Sequence, residues 1–305
     1  MALLHGKAVV VTGSGQGLGA AYARDLARRG ASVVTNDIVP GAAEKVAQEI
    51  VAAGGAAVAH TCDFSDWDQA GALVAACIDA FGRIDGLVNN GGIYRMARLD
   101  EESDSKTLEA VLKANVVGTY NCAAHALRSM QAQGSGSIVN VSSGSSMGIA
   151  ATGAYGASKG AVSSLTYAWA LEVAGSGVRV NAVSPMAFTA QSDISTRYHA
   201  GHGKEMRRAK EIAPEANSPL VAYLLSDRSA ALNGQILRME DRNLSVLSHP
   251  AVILPVLTRD AWTPETIADA IDSDLVAHLA PVGITGIEIA AYGPASPFWQ
   301  SMRLA

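Results

Sequence analysis

Cysteine is scarce in this sequence. Cys62, Cys77 and Cys122 are an odd set of three with no metal-ligand spacing, which argues against a disulfide framework or a metal site and predicts buried, reduced thiols. An excess of positive charge is also missing. Lys and Arg number 23 against 28 Asp and Glu, for a formal charge of -5, so there is no electrostatic footprint for nucleic acid. No uninterrupted apolar run reaches membrane-spanning length. The opening MALLHGKAVVVTG has neither a charged n-region nor a small-residue cleavage site, so no membrane partner and a cytoplasmic location are expected. Charged residues make up only 17% and hydrophobic ones 49%, enough apolar material for a sheet buried on both faces and too little polarity for disorder.

From residue 7 to about 240, short β-branched runs alternate with Ala-rich stretches of helical period, the signature of βαβ units and a parallel sheet. Strands are predicted over 7–12, 32–37, 56–63, 86–90, 137–142, 178–183 and 235–238. Helices are predicted over 17–29, 42–53, 66–81, 105–130, 154–174 and 219–225. Gly and Pro breakers fall between them. Seven strands fit one α/β domain built on a doubly wound sheet, with residues 1–240 as its body and 241–305 as an extension packed on the same domain. Within that extension, Thr263-Pro264-Glu265 reads as a helix start and 283–290 as strand-like.

The segment Thr12-Gly13-Ser14-Gly15-Gln16-Gly17-Leu18-Gly19 follows a strongly apolar strand and opens a helix. Its glycines permit a tight turn and let backbone amides approach a pyrophosphate at the helix N-terminus. Small residues also serve plain strand-to-helix packing, so the reading draws on its neighbours. The second strand ends at Asn36-Asp37, 18 residues beyond Gly19, where a carboxylate can accept from the adenosine ribose and repel a 2′-phosphate, favouring NAD over NADP. Asn36 and Asp37 also suit the turn before Pro40-Gly41. Neither the glycine loop nor residues 35–39 hold Lys or Arg. Asp63 and the run Asn89-Asn90-Gly91-Gly92 close the third and fourth strands, so every element lies at a strand C-terminus, where an open α/β sheet binds its ligand.

Tyr155 and Lys159 stand four apart at the start of a predicted helix and share one face. An adjacent ammonium favours a phenolate, so the pair suits proton transfer near neutrality. TGSGQGLG, Asp63, NNGG, Asn115, the Ser142-Ser143 strand end, YGASK and NAVSP, in this order and spacing, resemble the short-chain dehydrogenase/reductase family over residues 6 to about 240. The resemblance implies a Rossmann-like fold that holds NAD and substrate on one domain. It implies Tyr155 as general acid/base, Lys159 as the residue that lowers its pKa and binds the nicotinamide ribose, and Asn115 as a helix-breaking residue that holds a proton-relay water. The implied cofactor set is Gly13, Ser14, Gln16, Gly17, Leu18, Gly19, Asp37, Ile38, Asp63, Phe64, Asn89, Asn90, Gly91, Gly92, Tyr155, Lys159, Pro185, Phe188 and Thr189. Family members commonly place the catalytic serine 13 residues before the tyrosine; here Ser142 stands at 13 and Ser143 at 12. Aligning the strand gives Ser143, with Ser142 as the alternative. Met186 stands where the family usually has glycine.

The expected chemistry is hydride transfer between nicotinamide and a secondary alcohol or ketone, with Tyr155 moving the proton and Ser143 hydrogen-bonding the oxygen. Residues 187–213 carry Arg197, Lys204, Arg207, Arg208 and Lys210 with His199 and His202, which suits either an anionic substrate such as a coenzyme A thioester or an ordinary solvated helix face. Val33 to Asp37 and APEANSPLVAYLLSD resemble the dehydrogenase domain of the multifunctional enzymes of fatty-acyl β-oxidation. That resemblance suggests a hydroxyacyl-coenzyme A or hydroxysteroid substrate, beside a small cyclic alcohol. A non-catalytic nucleotide-binding protein is the rival from another class, and Gln16, where sugar-nucleotide epimerases expect glycine, argues against that enzyme class. Homo-oligomers through the helices of 105–130 and 154–174 are usual in the family.

Overall fold

A computed structural model of the chain describes residues 2–203, 212–251, 256–279 and 283–284. Two compact units result, Met1–Leu247 and Ser248–Ala305. The first holds one sheet of eight strands: β1 (Ala8–Val11), β2 (Ser32–Thr35), β3 (Ala56–Ala59), β4 (Gly86–Asn89), β5 (Gly136–Val141), β6 (Val178–Met186), β7 (Ile236–Glu240) and β8 (Asn243–Leu247). Their order is β3-β2-β1-β4-β5-β6-β7-β8. All neighbours are parallel except β7 and β8. Strand order reverses between β1 and β4, which opens a crevice at their C-terminal ends.

Nine helices of the described residues are α1 (Gly17–Arg28), α2 (Ala42–Ala52), α3 (Trp67–Phe81), α4 (Lys106–Leu112), α5 (Gly118–Gln133), α6 (Gly153–Glu172), α7 (Ala190–Gly201) and α8 (Ser218–Leu225) in the first unit, and α9 (Pro264–Ala270) in the second. β1 shows why the sheet is covered twice. Val9 and Val11 pack with Tyr22 and Leu26 of α1 and Leu224 of α8. Ala8 and Val10, pointing the other way, pack with Leu73 and Cys77 of α3 and Met130 of α5. All three cysteines are free and buried; burial raises the thiols, Cys62 to about 11 and Cys77 to about 12. Among the described residues no helix is long and apolar enough to cross a membrane.

Several elements depart from expectation for local reasons. β3 stops at Ala59 because the Asn36 side chain takes the His60 and Cys62 carbonyls. β6 continues to Met186 because β7 pairs with it to that point. The expected single helix over 105–130 is interrupted by a π turn at Lys113–Val117. An eighth strand, absent from the sequence reading, follows a hairpin whose Asp241 adopts φ 53, a left-handed position without the Gly or Asn-Gly that signals such turns. In the second unit α9 starts as expected, with the Thr263 hydroxyl accepting from the Thr266 amide. Of the expected strand-like stretch 283–290, residues 283–284 form a bend and 285–290 lie outside the described residues.

The base of the sheet is tied by Asp85. Its buried carboxylate accepts from the Ala8 amide at 2.9 Å and from Arg83 Nε and Nη2 at 2.7 and 2.6 Å. Truncation leaves a buried strand amide and a guanidinium without their acceptor. Asp85→Ala is therefore expected to lose about 3 kcal/mol of unfolding free energy, measured by urea denaturation; a loss below about 1 kcal/mol would show that water replaces the carboxylate.

Candidate active site

The glycine loop between β1 and α1 is shaped by close approach. Gly13 has φ +60, and a Cβ there would sit 2.6 Å from the Gly91 Cα; one on Gly19 would fall on the Gly13 carbonyl. Side chains from the neighbouring strand ends fix the loop. Asn90 Nδ2 donates to the Thr12 and Gly13 carbonyls, both at 3.0 Å, and the Thr12 hydroxyl accepts from the Asn90 and Gly91 amides. The Gly15 amide donates to Asp37 Oδ2 at 3.1 Å. Gln16, at the N-cap of α1, makes no side-chain capping bond, so the first amides of the helix are left for other acceptors.

The loop opens on a cleft of about 660 Å³, within the range of small-molecule and cofactor sites. Most of the expected cofactor set lines it: Gly13, Gln16, Gly17, Leu18, Gly19, Asp37, Ile38, Asp63, Phe64, Asn90, Gly91, Gly92, Tyr155, Lys159, Pro185, Phe188 and Thr189. Ser14 and Asn89 do not line it. Ser14 is buried, with its amide and hydroxyl on the Asn36 backbone, and Asn89 Nδ2 donates to Asn140 Oδ1 beneath the floor. Asn36 is the residue whose part the sequence reading undervalued. Fully buried, it bridges the loop to the end of β3; a buried amide at a strand end was the available signal.

At the other end of the cleft α6 presents Tyr155 and Lys159, with Lys159 Nζ 5.7 Å from the Tyr155 ring centroid. Lys159 is buried and donates to the Val141 carbonyl at 2.7 Å. The two serines diverge because successive residues of an extended strand end face opposite ways. Ser142 Oγ is buried against Ser163 Oγ at 2.8 Å and the Lys159 carbonyl. Ser143 is half-buried, lines the cleft, accepts from the Ser145 amide and hydrogen-bonds the Tyr155 phenol. Asn115 lies in the π turn, outside the cleft lining. Its Oδ1 accepts from the Ile93 amide at 2.8 Å, and its Nδ2 donates to the Ile93 carbonyl and to Ser158 Oγ. The path near Met186, where glycine was expected, is held by Asn217 Nδ2 donating to the Met186 carbonyl at 2.9 Å.

Similarity to short chain dehydrogenases extends over residues 7–200. The chain belongs to the short-chain dehydrogenase family. It is 37% identical over 239 residues to cis-4-hydroxycyclohexanecarboxylate dehydrogenase of Sinomonas cyclohexanicum, covering 77% of this chain and 95% of that protein. It is 34% identical over 256 residues to 3beta-hydroxysteroid dehydrogenase of Mediterraneibacter gnavus, covering 75% and 92%. A crystal structure of a short chain dehydrogenase from Mycobacterium avium superposes with a TM-score of 0.80 at 32% identity, covering 92% of this chain and 98% of that one. These relationships make the chain an oxidoreductase of a family that works with nicotinamide cofactors.

In this dehydrogenase, burial dominates the electrostatics of the cleft. It pushes the Tyr155 phenol up to about 12, with the Ser143 hydrogen bond pulling it down and Tyr94 adding to the rise. Burial also pushes Lys159 down to about 8, which leaves it an ammonium at neutral pH. Folded Lys159 gives up its proton near 8 and the unfolded chain near 10.5. Below pH 8 the buried ammonium therefore carries its whole penalty, of the order of 3 kcal/mol, and stability recovers as pH rises toward 10.5. Comparing thermal midpoints of wild type and Lys159→Met across this range, the wild type is expected to gain several degrees on the variant between pH 8 and 10.5. A constant gap would show that Lys159 titrates like a surface lysine.

Proposed function

We propose that this dehydrogenase interconverts an alicyclic secondary alcohol and its ketone with NAD. The observation that carries the reading is the Tyr155 phenol hydrogen-bonded by Ser143, with the Lys159 ammonium 5.7 Å from its ring centroid, at one end of a cleft whose other end is bounded by Asp37. Bound NAD supplies the hydride acceptor. The uncapped N-terminus of α1 suits its pyrophosphate. The Asp37 carboxylate, bonded to the Gly15 and Val39 amides, keeps acceptor capacity for ribose hydroxyls and repels a 2′-phosphate. In the oxidation direction Tyr155 takes the hydroxyl proton of the alcohol while Ser143 donates to the same oxygen; Lys159 holds positive charge beside the phenol. Reduction runs the proton the other way.

Ile93, Tyr94, Met186, Phe188 and Ile212 give the substrate end apolar walls, which suit a ring, and two relatives are named for ring alcohols. The acyl-coenzyme A reading draws on a basic segment in which Lys204, Arg207, Arg208 and Lys210 lie outside the described residues, while His202 bonds Glu101. Exposed Leu108, Val117, Tyr120 and Leu171 on α4, the π turn, α5 and α6 support a homo-oligomer through these helices. We place the enzyme in the cytoplasm, in keeping with its free cysteines.

Turnover is read from reduced nicotinamide absorbance with a panel of cyclic alcohols, hydroxysteroids and hydroxyacyl-coenzyme A esters. Tyr155→Phe and Ser143→Ala are expected to lose about a hundredfold or more in kcat, and Ser142→Ala less than about fivefold; the reverse order of the serines would move the role to Ser142. Tight NAD binding without turnover on any class would favour a non-catalytic binder. For cofactor choice, Asp37→Ala is expected to raise the KM for NAD about tenfold while improving NADP use. An unchanged ratio between the two cofactors would remove Asp37 from the selection.

A further inference from the structure

Tyr94 is more than a wall of the cleft. Tyr94 lies against Tyr155 with ring centroids 4.7 Å apart at 85°, an edge-to-face pair. Both partners are set by one buried amide. Asn115 clamps the Ile93 amide and carbonyl, and its Nδ2 also donates to Ser158 Oγ at 2.9 Å, which in turn donates to the Tyr155 carbonyl at 2.7 Å. The backbone before Tyr94 and the helical turn carrying Tyr155 thus share a single anchor.

Tyr94 also faces α7. Its phenol hydrogen-bonds Ser195 on that helix, and both residues line the cleft. Two further bonds seat α7 on the same stretch of chain: Tyr198 Oη donates to Glu101 Oε2 at 2.9 Å, and His202 Nε2 lies 2.8 Å from Glu101 Oε1. Among these contacts of the described residues, the Tyr94 contact reaches from this seam to the Tyr155 phenol.

We propose that Tyr94 is a positioning residue, which braces the Tyr155 phenol edge-on, screens it from water and ties its position to α7. The inference rests on the reading that Tyr155 transfers the proton. Tyr155 is faced by Lys159 from its own helix, Ser143 from the end of β5 and Tyr94 from the segment after β4. Removing the Tyr94 ring opens Tyr155 to water and weakens the burial that raises its phenol, whereas removing only the hydroxyl keeps the shielding ring and takes away the Tyr94 charge and its bond to Ser195.

Two measurements separate these effects. The first is a phenolate absorbance titration of full-length protein, each background compared with its own Tyr155→Phe partner, and it needs no turnover. In Tyr94→Ala the onset of Tyr155 ionisation is expected to move from about 12 toward the ordinary 10; in Tyr94→Phe, which keeps the shielding ring and loses only the Tyr94 charge, it moves less. The second uses NAD and cyclohexanol as the probe. Tyr94→Phe and Ser195→Ala are each expected to raise the KM for cyclohexanol about threefold or more with kcat within about twofold, and the double variant to be no worse than either single one. An unmoved onset in Tyr94→Ala, or effects of the two hydroxyl deletions that multiply, would overturn the proposal. Failure of wild type to oxidise any alcohol would sink the functional reading alone, since the titration still reports on Tyr94.

Discussion

Two main chains meet at Gly13 and Gly91 with no side chain between them, and the rest of the site is arranged around that contact. It brings the end of β4 onto the turn after β1 where strand order reverses. The Asn90 amide and Thr12 hydroxyl then satisfy the polar backbone groups that the approach would otherwise strand in a buried place. Because the turn is held from outside by Asn90 and from beneath by Asn36, its glycines need no side chains of their own, and the amides at the start of α1 remain directed into the cleft. The cofactor end is a property of backbone packed on backbone, with side chains acting as braces.

The parts of this arrangement that rest on local chemistry were legible in the sequence. β-branched runs specify strands buried on both faces, so β1 to β7 were found, and the four-residue spacing of Tyr155 and Lys159 put both on one face of α6. Parts that depend on direction or on distant partners were not. Counting residues favoured Ser142 and aligning the strand favoured Ser143; the alternation of the strand end turns the Ser142 hydroxyl onto Ser163 and the Lys159 carbonyl, while Ser143 hydrogen-bonds the Tyr155 phenol. Ser14 and Asn89 match a motif by position yet turn into the protein, because the same strand-end residues must also satisfy buried carbonyls and amides. β8 escaped notice because its turn relies on Asp241 in a left-handed conformation.

Stability and chemistry pull apart at Lys159. A fully buried ammonium with one carbonyl partner is an unfavourable way to fill space beside a sheet. It stands beside a phenol, itself raised by burial, that would exchange a proton in the proposed reaction.

The π turn at Lys113–Val117 has a consequence for how this molecule tolerates change in chain length. One additional residue per turn advances everything after it by about 100° around the helix axis relative to an unbroken α-helix, so α4 and α5 present faces that belong to two different phases of the same sequence. A one-residue deletion inside the turn would rejoin them into one regular helix and rotate the buried set of one half, Cys122 and Met130 on α5 or Val111 on α4, off the surface it packs against. Asn115 would swing with them, away from Ile93. Insertions and deletions that the exposed loops absorb without effect are therefore forbidden at this point in the fold, where length itself is a structural parameter.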